Sequence, residues 1–306
     1  SVNSVTTMEG MFQDASAFDK PLDKWASDVS NVTTMESMFH GASIFNQDIS
    51  EWNTQKVSNM KNMFRSASIF NEPLNDWSVN SVTTMEGMFQ GASAFNQPLN
   101  DWSVNSVTTM ESMFDGASIF NKDISEWNTQ DVSNMRNMFK KASIFNQPLN
   151  DWSVNSVTTM EGMFQGASAF NRPLYNWSVK SVTTMEGMFQ DASAFNEPLN
   201  NWKSDISNVT TMKNMFNGAS KFNQDVSRWK TQEVSNMKNM FRNASKYNQP
   251  LNNWAVNSVT TMEGMFQDAS AFNKPLDKWA SDVSNVTTMK NMFRGASKFD
   301  QSLNDW

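Results

Sequence analysis

One motif of 25 to 27 residues is written twelve times along this chain of 306 residues, and that repetition limits what the chain can fold into. Each copy follows V-[TS]-[TN]-M-x-x-M-F-x-x-A-S-x-[FY]-[ND]-x-[PDS]-[LIV]-x-x-W, with a constant distance from Val to Trp. Successive copies start 25 residues apart, except at three places where the spacing is 27. The copies start at Val5, Val32, Val57, Val82, Val107, Val132, Val157, Val182, Val209, Val234, Val259 and Val286.

A fixed period of this length is the signature of a solenoid, because each unit buries its apolar face only against its neighbours. The sequence therefore predicts a single solenoid over residues 1–306, made of twelve repeats of 25–27 residues without evident capping repeats. The extra residues always follow Trp, in the segments 26–31, 203–208 and 280–285. This confinement predicts a fixed cross-section with one corner that tolerates insertions.

The spacing within a repeat predicts an α/β unit. Met85, Met88, Phe89 and Ala92 fall at i, i+3, i+4 and i+7, which is one face of a short helix. Thr83 with Glu86 three residues later has the pattern of a capping box. The second half of the unit alternates apolar and polar residues, which predicts short parallel strands around Trp and the Val or Thr two residues later.

The large apolar residues occur in matched sets, with 12 Trp, 24 Met and 23 Phe for twelve repeats. Residues of this size at the repeat period are typical of a buried ladder rather than an aromatic binding row. The Asn that follows Phe, as in Asn96, is expected to form a hydrogen-bonded ladder to backbone groups at a bend. The predicted core ladder of tryptophans is Trp25, Trp52, Trp77, Trp102, Trp127, Trp152, Trp177, Trp202, Trp229, Trp254, Trp279 and Trp306.

The repeat resembles that of the BspA-like bacterial surface proteins and mycoplasma lipoproteins, a divergent branch of the leucine-rich repeats. The residues that carry the likeness are the run M-F-x-G-A-S-x-F-N-Q, as at 88–97, with Ala92 at the position of the family's Cys. The resemblance covers essentially the whole chain. It implies a right-handed, leucine-rich-repeat-like solenoid, exposed on a cell surface or secreted, that acts in adhesion or partner binding and has no shared catalytic site.

Composition argues against several other classes of protein. The net charge is −7 and the charged residues are scattered, whereas a nucleic-acid-binding protein needs a basic stripe. No apolar run approaches the 18 or so residues of a membrane-spanning helix. Cys is absent and His40 is the only histidine, so no thiolate site, Ser-His-Asp triad or multi-histidine metal site can be assembled. We predict no enzyme activity, no cofactor and no metal site.

Calcium binding is the alternative weighed for the acidic corners. Aspartates lie in the inserted segments and at the Pro position of other units, and oxygen-rich corners can hold Ca²⁺. No unit offers the six or more ligands that the ion prefers, so turn formation is the favoured role for these side chains. The aspartates concerned are Asp28, Asp205 and Asp282 in the inserted segments, and Asp48, Asp123 and Asp225 at the Pro position.

The position between Ser and Phe varies in a way that predicts exposure, since it accepts Ile, Ala and Lys. An apolar patch on the surface often marks a contact site. The candidate contact surface therefore consists of Ile44, Ile69, Ile119, Ile144, Lys221, Lys246 and Lys298.

Two functions follow as hypotheses. The first is a non-enzymatic surface or secreted protein that binds a protein or glycan on another cell or matrix, with an extracellular or cell-surface location. The alternative is a structural protein whose repeats bind copies of itself to form a filament, sheath or surface layer. Binding to ice or another crystalline surface through paired Thr, as in Thr83 and Thr84, is weaker because three units replace the pair with Ser-Asn.

Overall fold

The computed structural model describes residues 2–306, and the chain divides into two compact units, Ser1–Ser156 and Val157–Trp306. Each unit contains six of the twelve repeats. Within each unit, neighbouring repeats pair through single parallel β-bridges at the second residue after the repeat's first Val, as between Thr84 and Thr109. The repeats therefore stack in both units, which confirms a repeat architecture in each, while the single solenoid over 1–306 stays a prediction.

The short helix predicted for each repeat does not form, and this prediction was wrong. Residues 2–306 contain no α-helix; the segment from Met85 to Ala92 is a series of turns. The N–H groups of alternate residues donate to carbonyls of the next repeat, for example Gly87 to Glu111 at 2.8 Å. The intervening N–H groups return to the residue three positions earlier, as from Met88 to Met85 at 3.1 Å. The neighbouring repeat thus supplies the partners that a helix would have found internally.

Backbone geometry gives the reason that the helix is excluded. Gly87 and Gly91 have φ values of +61° and +72°, in the left-handed region that interrupts a right-handed helix. Asn62 and Ser66 take the same conformation one repeat earlier, with φ values of 55° and 59°. The apolar spacing correctly predicted a buried face. The backbone that carries this face forms a series of turns, because every fourth residue is left-handed.

The capping box predicted from Thr83 and Glu86 was also wrong. The Thr83 hydroxyl donates to the Ser58 carbonyl of the preceding repeat at 3.1 Å. The Glu86 N–H donates to the hydroxyl of Thr84 at 3.3 Å. With no helix to cap, the first Thr joins repeats and the second closes a local turn.

The strand prediction was right about direction and wrong about position. The pairing is parallel, but it is limited to one bridge per repeat and lies near Thr84 rather than at Trp102 and Val104. Trp102 lies outside the bridged positions, and its indole Nε1–H donates to the Leu74 carbonyl of the preceding repeat at 2.8 Å. A side chain thus makes the connection that we assigned to a strand.

All regular helices within residues 2–306 are 3₁₀ helices. They lie in the three inserted corners or directly before them. Short 3₁₀ turns are common connectors because they need only three residues per turn. They span Asp23–Trp25 and Asp28–Asn31 at the first corner, Asn200–Asn208 at the second, and Asp277–Trp279 and Val283–Asn285 at the third.

The core of each unit is a set of aromatic and methionine columns. Phe89 and Phe95 stack within one repeat at 4.0 Å between ring centroids, and Phe89 stacks on Phe114 of the next repeat at 5.7 Å. Trp102 stacks on Trp127 at 6.3 Å and is 3% exposed. Ten of the twelve tryptophans are buried, while Trp25 and Trp306 are partly exposed.

Candidate functional site

An exposed row of isoleucines lies on the first compact unit. Ile44, Ile69, Ile119 and Ile144 are 42% to 48% exposed, whereas most apolar residues of the repeats are buried. Ala94 occupies the same position in the repeat between them. We call this set, with Ala94 at its centre, the isoleucine row.

Hydrogen bonds beneath the isoleucine row hold its backbone in place. Each Ile follows a Ser whose hydroxyl donates to the Ser carbonyl of the preceding repeat, as from Ser68 to Ser43 at 3.1 Å. The Ala94 N–H donates to the Ser68 carbonyl at 3.0 Å. Since the flanking Ala67 and Phe70 are buried, the side chain at position 69 is directed away from the core. The row is therefore rigidly supported, although its side chains are free to contact a partner.

The row presents apolar groups at the spacing of the repeats. Full burial of an Ile side chain is worth about 1.5 to 3 kcal/mol, so covering the exposed half of one contributes about 1 kcal/mol. Four such side chains in a line offer a binding energy that a single exposed Ile cannot. The row carries no titratable group, so the interactions that its side chains offer are apolar.

The same position in the second compact unit is basic in three of its six repeats and Ala in the other three. Lys221, Lys246 and Lys298 are exposed there, with Lys221 and Lys246 in neighbouring repeats and Ala271 between Lys246 and Lys298. The structure therefore places the seven candidate residues at equivalent sites but in two units of different character.

The asparagine ladder lies next to the isoleucine row and is confirmed. The Asn96 N–H donates to Oδ1 of Asn71 at 2.8 Å, and the Asn121 N–H donates to Oδ1 of Asn96 at 3.0 Å. Asp19 fills the same role for the Asn46 N–H at 3.1 Å. Hydrogen bonds from the Gln47 side chain and the Asn46 backbone hold the pKa of the Asp19 carboxyl below its ordinary value. The ladder thus satisfies backbone N–H groups with side-chain oxygens of the preceding repeat.

A row of mixed charge lies on the turns that follow the first Met. Lys61 pairs with Glu86 at 2.9 Å, and both side chains are about one third exposed. The hydrogen bond to Glu86 raises the pKa of the Lys61 amine. Pairs of this kind contribute at most about 1 kcal/mol and are screened by salt, so the row supports solubility more than stability.

Three of the six aspartates weighed as calcium ligands accept hydrogen bonds within turns, and Asp205 bonds to the preceding repeat. Asp48, Asp123 and Asp225 accept hydrogen bonds from the N–H two residues later, at 2.9, 2.9 and 2.8 Å. The Asp205 carboxylate accepts from the Ser178 hydroxyl at 3.0 Å. Across residues 2–306, no group of three or more acidic or histidine side chains is arranged to hold a metal ion. In the same residues, no helix is long and apolar enough to cross a membrane.

Two clefts at inserted corners were missed by sequence reasoning. The first corner cleft has a volume of about 290 Å³ and is lined by Asp23, Ala26, Asp48, Ile49, Glu51 and Trp52. The second corner cleft has a volume of about 250 Å³ and is lined by Asn200, Asn201, Lys203, Asp225, Val226, Arg228 and Trp229. The available signal was the insertion of two residues after Trp, which was read as a tolerant loop.

The stacked turns, the aromatic columns and the surface rows define the chain as a repeat protein. Comparison with known families then places it: the chain belongs to the family described as "Mycoplasma protein of unknown function, DUF285", whose model matches residues 1–102, 26–125, 95–202 and 203–306. The resemblance to mycoplasma repeat proteins is confirmed, whereas the lipoprotein and BspA-like parts stay predictions.

The remaining comparisons are distant. A comparison with curated proteins gave no match. Among solved structures, the chain is similar to TLR13 in its complex with ssRNA13, at 9% identity and a TM-score of 0.26, over 90% of this chain and 58% of that one. It is also similar to an internalin, InlF, from Listeria monocytogenes, at 8% identity and a TM-score of 0.21, over 90% of this chain and 88% of that one.

Proposed function

We propose that this chain is a non-enzymatic partner-binding repeat protein that acts in adhesion at the cell surface or outside the cell. The observation that carries the proposal is the isoleucine row, in which side chains such as Ile69, 48% exposed, are held in line by a hydrogen-bonded backbone. Stacking of the repeats aligns this position but does not require Ile there, since other repeats carry Ala or Lys, and exposed apolar patches mark contact surfaces.

The partner that fits the isoleucine row is a protein or a glycan with an apolar face. The row is uncharged and a single residue wide, which suits an extended segment laid across several repeats. The surface location is supported by the resemblance of the repeats to those of bacterial surface proteins. Assembly with copies of the same chain remains the competing outcome and is separated by the experiment below.

The test is binding of the labelled chain to an array of glycans and extracellular-matrix proteins, followed by titration of each positive. The test variant replaces Ile44, Ile69, Ile119 and Ile144 with Lys, a residue that this position accepts at Lys221. The control variant replaces four other exposed residues with Ala, namely Gln55, Asn80, Asn105 and Gln130.

We expect the lysine variant to lose at least tenfold in affinity and the control variant to bind as the unaltered chain does. A blank array, or equal binding by both variants, would refute the proposal. Light scattering at rising concentration tests the competing hypothesis of self-assembly. If the unaltered chain forms large particles and the lysine variant does not, the isoleucine row is a self-assembly surface. Labelling of intact cells by an antibody to the chain tests the proposed location, and staining only after lysis would exclude it.

A further inference from the structure

The two corner clefts are built from the same positions of the repeat. Two of these positions flank the Trp of one repeat, one lying two residues before it and one directly after it. The other four are the Trp of the next repeat and the residues one, three and four places before that Trp. The matched pairs are Asp23 with Asn200, Ala26 with Lys203, Asp48 with Asp225, Ile49 with Val226, Glu51 with Arg228 and Trp52 with Trp229. A cleft of this kind thus occurs at one inserted corner in each compact unit.

The tryptophan column changes its geometry at the inserted corners. Trp25 and Trp52 flank the first insertion and their ring planes differ by 24°. Trp202 and Trp229 flank the second insertion and differ by 15°. Between repeats without an insertion the angle is small, as in the 4° between Trp52 and Trp77. The longer corner is therefore accompanied by a larger angle between adjacent indoles at an unchanged centroid separation, and each cleft lies beside such a pair.

The two clefts differ in charge at the matched positions. In the first corner cleft, Asp23, Asp48 and Glu51 are exposed acidic side chains around an apolar floor of Ala26, Ile49 and Trp52. The Ser50 backbone N–H and hydroxyl hold the pKa of the Asp48 carboxyl below its ordinary value, which keeps it ionised. The second corner cleft has Lys203 and Arg228 at positions where the first has Ala26 and Glu51. The lining of the first is therefore uniformly negative, whereas the second is mixed.

From this geometry we propose that the first corner cleft binds a lysine or arginine side chain of a partner protein. The apolar floor suits the methylene stem of such a side chain, and the carboxylates suit its charged head. At about 290 Å³ the cleft is at the lower limit for small-molecule pockets, so it takes one side chain rather than a drug-sized ligand. The site is separate from the isoleucine row, and the inference holds whether or not that row binds a partner.

The direct readout is the indole N–H resonance of Trp52, which forms part of the cleft floor. The twelve indole signals of the ¹⁵N-labelled chain are recorded during titration, and the Trp52 signal is assigned by its loss in Trp52→Phe. The probes are Nα-acetyl-lysine amide and Nα-acetyl-arginine amide, with Nα-acetyl-norleucine amide and Nα-acetyl-glutamate amide as controls. Norleucine keeps the stem of lysine without its charge, and glutamate reverses the charge.

We expect the lysine and arginine probes to shift the Trp52 signal saturably, with dissociation constants in the millimolar range, on the order of 1 to 10 mM. The norleucine and glutamate probes should leave it unmoved at the same concentrations. High salt should weaken the lysine response severalfold, since screening reduces the attraction between partly exposed charges.

The matched variant makes the first corner cleft resemble the second through Asp23→Asn, Ala26→Lys and Glu51→Arg. It should bind the lysine probe at least tenfold more weakly, while unchanged signals from the other tryptophans show that the fold is kept. If it fails to fold, Glu51→Gln alone should weaken binding at least threefold. No shift of Trp52 with about 50 mM lysine probe, equal shifts with norleucine, or equal binding by the variant would each overturn the inference.

Discussion

Removal of one indole from the tryptophan column tests whether the column holds the repeats together. Trp102 lies inside the first compact unit, is 3% exposed and stacks on Trp127 at 6.3 Å. Its Nε1–H donates to the Leu74 carbonyl at 2.8 Å. Truncation of a buried aromatic side chain to Ala typically costs 3 to 5 kcal/mol, through lost burial and the cavity that is left.

The hydrogen bond adds little to that figure. The Leu74 carbonyl also accepts the Trp77 N–H at 3.1 Å, so it keeps one partner after the indole is removed. The loss is then about 1 kcal/mol for a single bond rather than the larger cost of a buried group left without any partner. We therefore expect Trp102→Ala to lower the free energy of unfolding by about 3 to 5 kcal/mol, and Trp102→Phe to lower it by about 1 to 3 kcal/mol.

The assay is urea unfolding followed by circular dichroism, with the two compact units fitted as separate transitions where the data require it. The control is Tyr175→Ala, because Tyr175 is an aromatic residue that is 47% exposed. Its truncation should change the free energy of unfolding by less than about 1 kcal/mol. If Trp102→Ala were no more destabilising than Tyr175→Ala, the column would not be the source of stability and the reasoning would fail.

Four further predictions concern three single positions and use the same unfolding measurement. Asn96→Ala should destabilise by about 1 to 3 kcal/mol because the Asn121 N–H loses its acceptor. Asn96→Asp should cost less because Asp keeps an acceptor oxygen. Equal losses of stability in the two variants would contradict the ladder. Tyr247→Phe should stabilise by about 1 kcal/mol since the Tyr247 hydroxyl is buried without a partner, and an unchanged or lower stability would be inconsistent with this. Burial raises the pKa of Tyr247 well above its ordinary value, so the phenol ionises first in the unfolded chain. The unaltered chain should therefore lose stability above about pH 10, and Tyr247→Phe should remove that loss. Identical stability profiles against pH for the two proteins would count against this. Gly116 has a φ of +75°, and its surroundings leave room for a Cβ, so only backbone strain opposes Ala there. Gly116→Ala should therefore destabilise by about 1 to 2 kcal/mol. A neutral effect would show that Ala adopts this left-handed conformation without strain.

The buried face of the repeat could be read from sequence, whereas its secondary structure could not. The spacing of Met85, Met88, Phe89 and Ala92 identified residues that are all buried. The same spacing suggested a helix because a helix and a series of four-residue turns place side chains on one face in a similar way. Gly87 and Gly91 were compatible with either, and the left-handed backbone at both was decided by hydrogen bonds to the next repeat.

The candidate surface was found from sequence for a related reason. A position that holds Ile69 in one repeat and Lys221 in another cannot lie in a close-packed core, so variation among repeats indicated exposure. The clefts gave only the weaker signal of the two-residue insertions. Their linings combine residues of two repeats, such as Ala26 and Trp52, and that combination is decided by packing.

The sequence by itself determined the period, the residues that face the core and the positions left on the surface, because burial follows from a pattern repeated in every unit. The tertiary structure decided how the backbone satisfies its N–H groups and where the surface opens. Those outcomes depend on the carbonyl, or the indole, that a neighbouring repeat places within reach, and one repeat alone does not contain that information.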